Sequence, residues 1–221
     1  SLISTSVTTA TFSMAVQTLE KNGHDAGRIQ AGKNGAVLLA MVIPACIGLA
    51  MTSPNIAAVL VGPEFREGVA ALIPIMCFTA LCHGVRAHFV DHAFHLAGRP
   101  DLMLWTYAPA AVANIVLNLA LVPWFGMFGA AWIGLTCQLC AAIGGWVIGR
   151  RVFPLWLPIA QVAKVIVASV PMIVALWWME FPPTWGGLLS AIMLGAGVFA
   201  GGAWLLDAGG VRNLMRVRVR A

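Results

Sequence analysis

The feature that most constrains this chain is a series of unbroken apolar stretches, each about as long as a bilayer is thick. They fall at 35–61, 69–96, 102–123, 128–149, 160–179 and 185–206, and 60% of the chain is hydrophobic against 10% charged. The connections carry charge, Gly and Pro, as in Gly62-Pro63-Glu64-Phe65-Arg66-Glu67, Gly98-Arg99-Pro100-Asp101 and Phe181-Pro182-Pro183. Inside lipid every backbone N–H and C=O must be bonded within the segment, which leaves helices or a closed barrel. A barrel needs segments of about ten residues that alternate in polarity, and these runs do not alternate. The expected fold is an all-α, polytopic transmembrane bundle. It has about six full spans plus one partial N-terminal span. Disorder and a water-soluble globule are both excluded by the composition.

Residues 1–18 lack the basic start and cleavage site of a signal peptide. They open on Ser1-Leu2-Ile3-Ser4-Thr5, which reads as the end of a further helix and hence as a C-terminal part of a longer chain. The net charge of +5 is a topology signal. If each stretch crosses once, Lys21, Arg28, Lys33, Arg99, Arg150, Arg151, Lys164, Arg212, Arg216, Arg218 and Arg220 lie on one side. These make up all but two of the 13 basic residues. By the positive-inside rule, loops 20–34, 98–101, 150–153 and the C-terminal tail are then cytoplasmic. The tail is also placed to touch anionic lipid headgroups. No basic recognition face is present, so nucleic acid is not an expected partner.

Ionisable groups inside a span are costly and mark function, and here they gather in 69–96. Arg86 lies about 18 Å from the cytoplasmic turn at the helical rise, close to mid-membrane. Thr79, His83 and Arg86 share one face. His88, Asp91, His92 and His95 share another. Arg86 and Asp91 stand five residues apart, about 140° round an α-helix, so each is expected to find its partner elsewhere. A guanidinium keeps its charge and presents a fork of donors to phosphate oxygens, which suits an anionic headgroup such as a lipid pyrophosphate. Asp91, His92 and His88 are candidates for proton coupling. The string from His88 to His95 also has metal-ligand spacing, but membrane di-iron enzymes need several such boxes. No metal and no cofactor are expected.

The other features read as packing. Asn114 and Asn118 lie one turn apart beyond Pro109. Gly145-x-x-x-Gly149 and Gly197-x-x-x-Gly201 would permit close backbone approach. Pro44, Pro74 and Pro171 predict bent spans. Cys46, Cys77, Cys82, Cys137 and Cys140 all lie in apolar stretches and imply no disulfide framework.

Three segments carry a family resemblance: Ala57-Ala-Val-Leu-Val-Gly62-Pro-Glu-Phe65, Leu96-Ala-Gly98-Arg99-Pro100 and Asn114-Ile-Val-Leu-Asn118-Leu-Ala-Leu-Val-Pro123-Trp-Phe-Gly126-Met-Phe-Gly129-Ala130-Ala131. Together they resemble the polysaccharide transporter branch of the multidrug/oligosaccharidyl-lipid/polysaccharide exporter superfamily, which includes O-antigen flippases. The resemblance implies a C-lobe core over 1–149, then two additional helices and a basic tail over 150–221. It also implies a central cationic cavity; the candidate substrate contacts in this chain, taken from the residues themselves, are Arg86, His83, Asn114 and Asn118. The expected activity is export of a polyprenyl-pyrophosphate-linked glycan across a bacterial inner membrane by alternating access, with the missing N-terminal helices of the same transporter required. Trp132-Ile133-Gly134 departs from the small-residue-and-Thr pattern of the family, and the histidine-rich run is no hallmark of it. The alternatives are a related cation-coupled exporter of small molecules, a histidine-cluster metalloenzyme and a non-transporting scaffold.

Overall fold

The computed structural model describes the backbone of residues 2–156 and 159–207, and side chains at Thr18, Lys21 and from Gly23 onward. The arginine tail expected on the cytoplasmic side lies outside the described residues. Among the described residues the chain is helical and contains no strand. The helices are α1 (Leu2–Met51), α2 (Ser53–Leu60), α3 (Arg66–Val85), α4 (Asp91–Leu96), α5 (Asp101–Val152), α6 (Ile159–Trp178) and α7 (Trp185–Leu206). A 3-10 turn at Pro63–Phe65 precedes α3, and a π-helical turn at Arg86–Val90 joins α3 to α4.

Among the described residues, five stretches are long and apolar enough to span a membrane: Gly23–Met51, Pro63–Leu96, Asp101–Val152, Ile159–Trp178 and Trp185–Leu206. The 52-residue α5 supplies two of the expected spans. Its helix runs through Pro123 and breaks only at Gly126, with φ 57° and ψ −146°, a region open to glycine alone. The chain reverses there. Tyr107 and Gly145 are equidistant from Gly126 in the sequence, and a Cβ on Gly145 would lie 2.5 Å from the Tyr107 hydroxyl. Limbs 101–125 and 127–152 therefore form an antiparallel hairpin whose connection is one residue, where the sequence left a gap between the stretches 102–123 and 128–149.

The basic segment 20–34 is also not a loop. It is helical apart from Gly23, at φ 85° and ψ 177°. The helix continues on both sides, and glycine can take the positive φ that bends the path there. Lys21, Arg28 and Lys33 accordingly sit on α1. His24 is likewise on the helix, its ring centroid 5.9 Å from that of Phe153. The turn at Gly98 follows its sequence signature. Gly98 has φ 67°, its N–H bonds the His95 carbonyl at 3.1 Å, and the Arg99 N–H reaches the Phe94 carbonyl at 2.9 Å. That is a Schellman stop, followed by Pro100.

The chain divides into two compact units. The first comprises residues 1–38 and 79–158. Its core joins Ala31 of α1 to Ala93, Leu96 and Phe153, and packs Phe89, Val90 and Phe94 against Tyr107 and Ile148. Gly32 lies against Trp156 and Gly35 against Phe89, so α1 approaches closely through its small residues. Arg28 caps the arrangement, donating to the Pro154 carbonyl at 2.5 Å and to Asp25 at 3.2 Å.

The second unit comprises 39–78 and 159–221. Here α6 and α7 form a hairpin, with Ala191 and Val165 wholly buried. Gly195 faces Leu176 and Met172, and a Cβ on Gly202 would lie 3.2 Å from the Ala168 carbonyl. The contacts run through Gly195 and Gly202. The expected Gly197-x-x-x-Gly201 surface is unused, because neither glycine has an atom within 4 Å of a built Cβ. Thr184 begins α7, its hydroxyl accepting from the Gly187 N–H at 3.2 Å. An apolar cleft of about 490 Å³ opens between α1 and this hairpin, lined by Pro44, Gly48, Met172, Leu176, Gly195 and Phe199.

The outward surface is the inverse of a soluble protein's. Leu119, Trp124, Trp177 and Trp178 are 76%, 83%, 77% and 84% exposed. Trp124 stands beside the Gly126 turn, while Trp177, Trp178 and Trp185 flank the connection between α6 and α7, as interfacial aromatics do. The fold is an all-α membrane bundle.

Candidate functional site

Three polar residues of the span Pro63–Leu96, namely His83, Arg86 and Asp91, converge in the first unit. Arg86 donates from Nη1 to Asp91 Oδ2 at 3.4 Å, and the two side chains are only 17% and 9% exposed. This corrects the expectation that five residues of α-helix hold them apart. The turn between them is not α-helical. In a π turn the amide of residue i+5 bonds the carbonyl of residue i, and here the Asp91 N–H bonds the Arg86 carbonyl. That backbone bond sets Asp91 directly above Arg86. The extra residue per turn supplies the rotation that α geometry lacks.

The other contacts come from the facing limb of α5. Tyr107 donates its hydroxyl to Asp91 Oδ1. Its ring lies under the guanidinium, with Arg86 Cζ 4.4 Å from the centroid, a cation–π placement. Phe94 meets the same ring edge-on at 6.4 Å. Gly145 makes room for it, since any side chain there would overlap the hydroxyl. Gly149 does the same for α4, with Ala93 Cβ 3.2 Å from the position of a Cβ. The Gly145-x-x-x-Gly149 pair is thus the seat of the cluster.

His83 stands one turn before Arg86, and Nη2 lies 3.4 Å from its Nδ1. The guanidinium can only donate, so Nδ1 must be the acceptor and the ring proton belongs on Nε2. Arg86 Nε is buried with no hydrogen-bond partner. The guanidinium is thus engaged at Nη1 by Asp91 and at Nη2 by His83, with Nε–H left without a partner.

Asn114 and Asn118 do not join this cluster directly. Asn118 turns its amide back, donating to the Asn114 carbonyl at 2.8 Å and to Asn114 Oδ1 at 3.2 Å. Their spacing puts each of them within about 20° of Tyr107 on one face, with Asn118 about 16 Å further along. The facing limb adds Gln138, which is as far beyond Gly126 as Asn114 is before it. Its Nε2 is buried without a partner. Tyr107, Asn114 and Asn118 thus share a face of the first limb, and Gln138 lies at the level of Asn114 on the second.

Two of these residues had no signal that the reading of charged groups would catch. Tyr107 is the only tyrosine in the chain, and Gln138 is a lone amide in an apolar run. Either would have emerged by treating every hydrogen-bonding side chain within a span as a candidate.

The histidine string does not gather. Asp91 and His92 are buried while His95 is exposed. Among the described residues no group of three or more His, Cys, Asp or Glu side chains stands close enough to hold a metal ion. The five cysteines are free thiols. Compared with known protein families, curated proteins and solved structures, the chain matches none.

Proposed function

We propose that this chain is the C-terminal lobe of a flippase of the polysaccharide transporter type, carrying a lipid-pyrophosphate-linked glycan outward across a bacterial inner membrane. The observation that carries the reading is Arg86: a permanent cation within the span Pro63–Leu96, with an unpartnered Nε–H. A charge there is costly unless it serves a polar path. A phosphate group offers the acceptors that a guanidinium takes in pairs. The neutral amides of Asn114, Asn118 and Gln138 continue that path, and amides suit sugar hydroxyls because they donate and accept without charge. The lipid tail of such a substrate can stay in the bilayer throughout. On this reading the basic residues face the cytoplasm, and so does the C-terminus.

The test is export of surface glycan by cells that carry Arg86→Ala as their only copy. Export is expected to stop while membrane levels of the protein stay unchanged. Normal export by that variant would remove Arg86 from the site and leave the reading without its support.

A further inference from the structure

The ion pair raises a question that the anion-binding reading leaves open, because the proposed site is already occupied. Asp91 holds the Nη1 end of the guanidinium, the same cation that an incoming phosphate would bind. We propose that Asp91 is the residue that sets how readily an anionic cargo leaves Arg86, acting as a resident carboxylate that competes for the same cation. The proposal rests on Arg86 being the anion site.

Three observations support it. The competitor is built in by the backbone, since the π turn brings the Asp91 N–H onto the Arg86 carbonyl and the carboxylate onto the guanidinium. Asp91 keeps a second anchor, the Tyr107 hydroxyl on Oδ1, so it retains a partner when Oδ2 lets go and is ready to return. Arg86 also has a donor to spare, because the buried Nε–H has no partner. An arriving phosphate can engage Nε–H and the Nη2–H on the same edge of the guanidinium, and its charge then competes with Oδ2 for the cation and loosens the carboxylate from Nη1; departure reverses these steps. The physical need is general: a carrier must bind well enough to load and weakly enough to unload. A guanidinium alone in an apolar span would hold a polyanion too long, while one shared with a carboxylate would not.

Removing the carboxylate leaves Arg86 as an uncompensated charge, which a bound anion then satisfies. In the full-length protein reconstituted in lipid nanodiscs, inorganic pyrophosphate is titrated by calorimetry, and glycan export is followed in cells. Asp91→Asn, which keeps an acceptor for Tyr107, should tighten pyrophosphate binding by about tenfold or more, on the scale of one charge-assisted hydrogen bond. Export should slow at the same time. If Asp91→Asn does not accumulate in the membrane, Asp91→Ser is judged by the same criterion. Unchanged or weaker binding in a variant with native melting behaviour, or faster export, would overturn the proposal. Arg86→Gln separates the two claims. If it abolishes binding while Asp91→Asn leaves affinity as it was, the release role alone is lost. If Arg86→Gln binds pyrophosphate normally, the anion site itself is lost.

Discussion

At the scale of single residues, Tyr107 joins more partners than any charged group near it. Its hydroxyl serves Asp91, its face carries Arg86, its edge meets Phe94 and its tip fills the hollow at Gly145. Tyr107→Phe keeps the ring contacts and removes one hydrogen bond to a charged group, so it should cost about 1.5–3 kcal/mol, read from unfolding in detergent. Gly145→Ala attacks the same place from the other side. It forces a methyl into the hydroxyl and should destabilise by about 1–3 kcal/mol. Gly197→Ala is the control, because its Cβ meets nothing and the change should stay within about 0.5 kcal/mol. The sequence could not tell these glycines apart. Both motifs satisfy the same small-residue rule in a chain with 23 glycines, and which one is used depends on which face another helix covers.

At the scale of elements, the long apolar runs were legible because the bilayer dictates their length, and the Gly98 stop because glycine at a helix end has a specific hydrogen-bond role. The π turn was not legible. Reading 69–96 at a constant angle per residue separates Arg86 from Asp91, and nothing in Arg86-Ala-His-Phe-Val90 signals a wider turn. The structure therefore makes a prediction that uniform α geometry would not. Deleting Ala87 should close the π turn into an ordinary α turn, with Arg86 and the aspartate four residues apart and still paired. That protein should fold and bind pyrophosphate much as before. Deleting Ala80 from the regular part of α3 should instead turn everything beyond it by about 100° and abolish binding. Equal outcomes for the two deletions would argue against the wide turn.

At the scale of the whole molecule, the charge distribution along the chain reads as topology. Reporter fusions after Arg99 and after Arg151 should report the cytoplasm, and a fusion after Pro183 should report the opposite side. Any other pattern contradicts the once-crossing assignment. The segment 20–34 shows why this scale was only partly readable. Its charge led to a loop being expected, but charge does not decide between loop and helix, and α1 continues through it with a single break at Gly23.

Because the chain has one tyrosine and that residue touches both halves of the ion pair, isotope-labelled tyrosine would place a single spectroscopic probe at the point of interest. One ring resonance, with no assignment problem, would shift when the aspartate releases the guanidinium. The state of the ion pair in a bundle this apolar could then be watched from inside without attaching a dye.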